Sequence, residues 1–240
     1  MTDAHCHVSC GDSSVRELLV GRDFFGVHPW ETLDDGTTGT GGTTETRRAL
    51  VPDIPVVPDV SSLAALLATL RSQLLANPAA GVGEIGLDRL KSRDISPRMR
   101  EVFEAQLALA LELGRPVVLP GAKCWGQVVA AVKVQDAEAS GTRFLFHGFS
   151  RSDGLIPEIV KLNGFISVGP AVLNDHAVNY RELVKKIPLD RLLVETDRTS
   201  SSDSPSISDV LAKTADILNL SASELERITD ENADRFLGAV

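Results

Sequence analysis

The chain of 240 residues carries 24 Lys and Arg against 33 Asp and Glu, a net charge of −9, and 43% of its residues are hydrophobic. This composition excludes wholesale disorder, and the acidic balance argues against sequence-blind coating of nucleic acid, although it allows a phosphodiester held by metal ions in one cleft. No apolar run approaches the roughly 20 residues that span a bilayer, no signal peptide is visible, and three cysteines suit a reducing compartment, so we expect a cytoplasmic protein.

Short apolar runs alternate with helical patterns along most of the chain. The runs predict seven strands, at residues 1–6, 24–27, 80–87, 116–119, 143–147, 164–168 and 191–195. Helical patterns occur at residues 13–20, 63–74, 97–113, 125–137, 155–162 and 177–186, and two further helices close the chain. Ser61 or Ser62 can cap the second helix, whereas Ser96-Pro97 and Gly114 fit the two ends of the third.

Strands that alternate with helices predict parallel strands with helical crossovers. We therefore expect an α/β fold, a TIM-barrel-like structure with seven strands or a distorted ring of eight. No repeat or linker divides the sequence, which predicts a single domain over residues 1–240. Residues 34–58 are rich in Thr, Gly and Pro and are expected to form a mobile loop.

Side chains that can bind metal lie at or near the ends of four predicted strands. Asp3, His5 and His7 are spaced by two, so they share one face of a strand. Glu84 lies in an apolar strand, where a carboxylate needs a partner, and His147 and Asp197 follow two later strands. The carboxyl ends of barrel strands converge on one mouth, which is where such enzymes place their chemistry.

These residues also carry a family resemblance. The motifs Asp3-Ala-His-Cys-His7, Gly26-Val-His-Pro-Trp30, Gly83-Glu-Ile-Gly-Leu-Asp88, His147-Gly-Phe-Ser150 and Glu195-Thr-Asp197 resemble, in order, those of the TatD-type metal-dependent hydrolases. The resemblance implies a barrel whose one- or two-metal site hydrolyses phosphodiesters, often DNA.

Carried over by position, the first metal would be held by His5, His7, Glu84 and Asp197. Glu84 would bridge to a second metal at His147, and His28 would line the site and contact the substrate.

The chain departs from the family pattern in three places. Pro120 replaces a second-metal histidine, and Ala122 replaces a nearby arginine. Arg198-Thr199 follows the last motif, where the family has a small residue and proline. Only 20 residues separate His7 from His28, which suggests that one βα unit is missing. With the histidine lost, the sequence predicts one tightly bound divalent ion, Zn²⁺, Mn²⁺ or Mg²⁺.

Two functions remain open at this stage. In the first, the chain is a metal-dependent hydrolase acting on phosphodiesters, possibly DNA, with Asp197 and Glu84 as its catalytic residues. In the second, the chain is a catalytically degenerate barrel that serves as a binding or scaffold module. The sequence has no Gly-x-Gly-x-x-Gly motif, P-loop or Gly-x-Ser-x-Gly motif, which disfavours dinucleotide, nucleoside triphosphate and serine-esterase functions. We expect a monomer without a dinucleotide cofactor or membrane association.

Overall fold

The computed structural model describes residues 1–33, 62–135, 140–200 and 205–238. These residues form eight β-strands: β1 (Thr2–Cys6), β2 (Arg16–Leu19), β3 (Phe24–Phe25), β4 (Gly81–Val82), β5 (Val117–Leu119), β6 (Phe144–Phe146), β7 (Gly164–Val168) and β8 (Leu192–Val194). They also form seven α-helices: α1 (Leu63–Ala76), α2 (Pro97–Glu112), α3 (Trp125–Val134), α4 (Ile156–Lys161), α5 (Val178–Val184), α6 (Ile207–Leu218) and α7 (Ala222–Leu237). None of these helices combines the length and apolar character that crossing a lipid bilayer requires.

The strands are parallel and follow one another in chain order. Strands β3 to β8 form a six-stranded sheet, and β1 pairs with β2. A bridge between Val20 and Phe24 links β2 to β3. The other seam is joined where Asp197 N donates to His5 O over 3.0 Å and His7 N donates to Arg198 O over 2.8 Å. The eight strands therefore follow one ring, and the predicted barrel-like α/β fold is confirmed.

Alternate residues of the strands face two separate cores, as the two-residue period of a strand requires. One core lies between the strands and the helices, and Val117 and Leu119 of β5 belong to it. The other core takes the alternate side chains and is completed by α7; its buried members are Ala4, Leu18, Phe24, Val118, Leu145, Phe165, Leu193, Ala233 and Phe236. Strands that are apolar on both faces are typical of a parallel barrel.

The prediction of a helix at residues 13–20 is wrong, because Arg16–Leu19 is a strand that pairs with β1. A four-residue segment shows only one helical turn of periodicity, so pairing with neighbouring strands overrides the pattern. The count of seven strands and the loss of a βα unit are wrong for the same reason. The connections formed by residues 7–15 and 20–23 contain no helix. The short segment between His7 and His28 therefore lacks helices but still contains the strand.

The prediction of a strand over residues 80–87 is too long, because regular pairing stops at Val82. The glycines there permit close packing, since a Cβ on Gly81 would lie 2.4 Å from the Phe24 ring. The predicted caps of α2 are confirmed by Ser96, whose hydroxyl accepts from Met99 N, and by Gly114, whose φ is +63°. The loop predicted to be mobile at residues 34–58 lies outside the described residues.

Candidate metal centre

Five predicted site residues come together at the carboxyl ends of four strands. His5 is in β1 and His7 follows it, whereas Glu84, His147 and Asp197 follow β4, β6 and β8. Glu84 is the centre of the cluster, with its carboxylate oxygens 3.2 Å from His7 Nε2 and 3.3 Å from His147 Nε2. Asp197 Oδ1 lies 3.5 Å from His7 Nε2. The convergence expected from the strand ends is therefore observed.

His5 provides the test of whether these residues fit a metal ion. Its ring is completely buried, and neither ring nitrogen has a hydrogen-bond partner among the described residues. Its Nε2 faces Glu84 Oε1 at 3.6 Å and Asp197 Oδ1 at 3.8 Å, both beyond hydrogen-bonding distance. Buried polar atoms are nearly always paired, so this arrangement fits a cation that the three side chains share. Two imidazoles and two carboxylates are a donor set typical of divalent transition metals.

Two groups of donors satisfy the geometry of a metal site. His5, His7 and Glu84 each offer a donor atom within 4.8 Å of the others, and His5, His147 and Asp197 form a second such group. The groups share His5, so the metal-capable donor atoms form one contiguous cluster around this histidine.

The side chains of the cluster shift one another's pKa values. Burial by itself would raise the pKa of the Glu84 carboxyl, but His5, His147 and His7 hold that pKa well below its ordinary value. Burial opposes protonation of His7, whereas hydrogen bonds with Asp197 and Glu84 raise its pKa to about 9. Glu84 thus stays ionised, as a carboxylate ligand must be, whereas His7 would have to release its proton on binding an ion.

Two buried carboxylates, Asp3 and Glu195, form hydrogen bonds with residues in or next to the cluster. The sequence did not reveal these contacts. Asp3 accepts hydrogen bonds from Thr196 N at 2.9 Å and Thr196 Oγ1 at 2.6 Å, so it joins β1 to β8 and lies outside the metal cluster. Glu195 lies 3.2 Å from His147 Nδ1 and accepts from Gly148 N at 2.8 Å. A buried acid in an apolar run indicated a partner, but only the fold identifies which one.

His28 has a different role from the other histidines. Its Nδ1 accepts a hydrogen bond of 3.1 Å from Trp30 N, at the start of the 3₁₀ turn Pro29–Thr32. In the neutral ring the proton therefore lies on Nε2, which makes this atom a donor. Nε2 lies 3.9 Å from Glu84 Oε1, and the side chain lines the cavity.

The cluster opens into a cavity of about 390 Å³. Pro120 lines this cavity where the family pattern has a histidine, and it offers no donor atom. Cys124 does not replace that histidine, because its thiol donates to Leu87 O over 3.2 Å. Of the residues that the family pattern assigns to a second metal, only Glu84 and His147 are therefore present among the described residues.

Comparison with known proteins gives consistent matches. The family described as TatD related DNase matches residues 21–238. The chain is similar to the uncharacterized metal-dependent hydrolase YabD of Bacillus subtilis, with 31% identity over 179 residues that cover 71% of this chain and 69% of that protein. It is also similar to the 3′-5′ ssDNA/RNA exonuclease TatD of Edwardsiella piscicida, with 30% identity over 52% of this chain and 48% of that protein.

Comparison with solved structures shows that the similarity includes the fold. YJJV, a TatD homologue from Escherichia coli, superposes with a TM-score of 0.64 at 26% identity, covering 72% of this chain and 70% of its own. A TatD family hydrolase from Entamoeba histolytica superposes with the same TM-score of 0.64 over 92% of this chain and 75% of its own, and at 17% identity it supports the fold alone. The chain spans about half the length of the exonuclease relative, with 48% covered.

Proposed function

Because the chain belongs to the TatD family of metal-dependent hydrolases, we propose that it hydrolyses phosphodiester bonds with one divalent ion at His5, His7, Glu84 and Asp197. The observation that carries the proposal is the buried His5 ring, which faces two carboxylates without a hydrogen bond. One relative is named a 3′-5′ ssDNA/RNA exonuclease, which supports a nucleic acid as a substrate.

We propose a single tightly bound ion because a second position has too few ligands of its own. The donor group of His5, His147 and Asp197 shares His5 and Asp197 with the first ion. Glu84, as a bridge, and His147 would be left for a second ion, and two ligands hold a transition metal weakly, since about three or four is usual. Mixed nitrogen and oxygen donors suit Zn²⁺ or Mn²⁺, and Mg²⁺ stays the third candidate.

Four side chains at or beside the cavity have a defined task in this proposal. A bound divalent ion would acidify a water molecule and polarise a phosphoryl oxygen. The Asp197 side chain, 47% exposed at the cavity, would orient the attacking water and accept its proton, besides holding the ion. Glu84 holds the histidines in place, and His28 Nε2 donates to a phosphoryl oxygen of the substrate. Glu195 fixes the orientation of the His147 ring.

The proposal is tested with His5→Ala and a matched control, His176→Ala. His176 is an exposed histidine outside the cavity, so its removal tests the effect of losing any histidine. We expect His5→Ala to lose retained metal and hydrolysis of bis(4-nitrophenyl) phosphate with Zn²⁺ or Mn²⁺ supplied, while His176→Ala keeps both. Elemental analysis and the rate of nitrophenolate release measure the two quantities.

The scaffold alternative makes the opposite prediction for the same experiment. If wild type and His5→Ala release nitrophenolate at the same background rate, the barrel is a binding module for this class of substrate. Two ions per chain after dialysis would contradict the single-ion proposal separately. The monomeric state, the single domain and the cytoplasmic location stay predictions from the sequence.

A further inference from the structure

The cavity has a second wall that the proposed chemistry does not use. The segments that follow β4 and β5 form this wall together, because Arg89 N donates to Ala122 O over 3.1 Å and the Cys124 thiol donates to Leu87 O. Pro120 packs against Gly86, where an added Cβ would lie 2.5 Å from the proline carbonyl oxygen. The wall is thus a built part of the fold.

Apolar side chains make up the surface of this wall. The indole of Trp125 packs closely against Gly121, where a Cβ would lie 2.2 Å from the ring. Leu90 lines the same cavity and is 54% exposed, so its side chain is accessible to a bound molecule. The residues of this apolar wall that we use below are Leu90, Pro120, Gly121, Ala122 and Trp125.

Trp30 forms the rim beside this wall and is held rigidly. Its indole Nε1 donates to Asp88 Oδ1 over 2.8 Å, and the same oxygen accepts from Leu90 N over 2.7 Å. Trp30 and Trp125 are the two tryptophans of the chain, and both line the cavity. Rigid aromatic and apolar groups bind flat rings well, because little conformational freedom is lost on contact.

Neither lysine nor arginine lines the cavity within the described part of the chain. Two basic side chains lie on the segment that follows β4. Arg89 Nε donates to Arg93 O, whereas Lys91 Nζ lies 3.9 Å from the centre of the Trp30 ring and adds one positive charge at the rim. With a net charge of −9, the protein attracts a long polyanion weakly. A strand with many phosphates needs several cations along its path, whereas one phosphate can be neutralised by the metal centre alone.

We propose that the apolar wall is a subsite for one planar aromatic group carried by a substrate with a single phosphodiester. The inference rests on the proposed function for the position of the phosphate, beside Glu84 and Asp197. A nucleobase and an aryl group share the required chemistry, and the experiments below distinguish a short substrate from a long strand.

The first experiment measures binding without turnover. Quenching of the two tryptophans is followed while the Zn²⁺-loaded protein is titrated with phenylphosphonate or with methylphosphonate. Because both ligands offer the same phosphonate, the ratio of the two dissociation constants reports on the phenyl ring. We expect phenylphosphonate to bind about tenfold more tightly, as burial of an aromatic ring implies.

Two matched variants locate the effect. Leu90→Asn removes an exposed apolar side chain from the wall without disturbing the core, and the ratio should fall to about threefold or less. Leu189→Asn makes the same change at a leucine that is 40% exposed and outside the cavity, and the ratio should stay at its wild-type value. Equal binding of the two phosphonates by wild type would overturn the subsite, even if the protein is an active phosphodiesterase.

The second experiment distinguishes a short substrate from a long strand. Hydrolysis of a dinucleotide, which has one phosphodiester, is compared with hydrolysis of a 20-nucleotide DNA over a range of salt concentrations. We expect kcat/KM of the DNA to be no higher than that of the dinucleotide, with a log–log salt slope no steeper than about −0.7, the value for one phosphate. A slope corresponding to several phosphates would refute the single-phosphate inference. Hydrolysis of neither substrate would instead count against the proposed function, while the phosphonate ratio would still decide the subsite.

Discussion

The side chains of the candidate metal centre were predictable from the sequence because each lies within, at the end of or just beyond an apolar run. His5 and His7 occupy alternate positions near the end of β1, and parallel strands bring their carboxyl ends together. The sequence could not assign the partners of Asp3 and Glu195, since the partner of a buried acid depends on which strands become neighbours. Asp3 was grouped with the two histidines, but it binds Thr196 instead.

At this scale the clearest test is Glu195→Gln. The carboxylate holds His147 through Nδ1 and leaves Nε2 directed at Glu84. Glutamine keeps the shape but loses the charge, so we expect kcat to fall by about 10–100-fold, the usual effect of removing such an outer partner. KM and the thermal midpoint should change little.

Glu17→Gln provides the control for that variant. Glu17 is also a buried carboxylate, but it accepts hydrogen bonds from Ser9 Oγ and Cys10 N and does not line the cavity. Turnover should stay at the wild-type value in this control. If Glu195→Gln also turned over at the wild-type rate, the proposed positioning of His147 would be incorrect.

Among the secondary-structure elements, long periodic helices were predicted well and short strands were not. The apolar stripe and cap at Ser62 correctly indicated α1, because fourteen residues provide several helical turns of pattern. Strand β2 has four residues, and its leucines fit a helix as well as a strand. What makes it a strand is its contact with β1 and β3, which no local pattern contains.

The seam between β1 and β8 depends on a side-chain contact that can be removed alone. Thr196→Val keeps the side-chain volume but deletes the hydroxyl that donates to the buried carboxylate of Asp3 over 2.6 Å. We expect a loss of about 1–3 kcal/mol in the free energy of unfolding, because the acceptor stays buried and loses a partner. Urea denaturation at constant pH measures this value.

Thr214→Val is the control for the seam variant. Thr214 is equally buried, but its hydroxyl donates to the Val210 carbonyl of its own helix, and that acceptor is a neutral group. A loss as large as that of Thr196→Val would show that burial of the hydroxyl, and not the seam, accounts for the effect.

Over the whole molecule, alternation of strands and helices was sufficient to predict the barrel, and the family comparisons agree with it. Closure of the ring was not predictable, because it depends on backbone hydrogen bonds such as the one from Asp197 N to His5 O. The departures at Pro120 and Ala122 were visible in the sequence. Their consequence, an apolar wall beside the metal cluster, required the packing of Trp125 and Leu90.

The β1–β8 seam also has a consequence for folding kinetics. The contact between Asp3 and Thr196 spans 193 residues of sequence. The metal-capable side chains of His5 and Asp197 come together only when that seam has closed. If the seam is still open in the folding transition state, that state has no complete site for the proposed ion. Saturating Zn²⁺ should therefore slow unfolding and leave the refolding rate unchanged, which stopped-flow tryptophan fluorescence can measure. Refolding that accelerates with Zn²⁺ would instead place closure of the ring before the rate-limiting step.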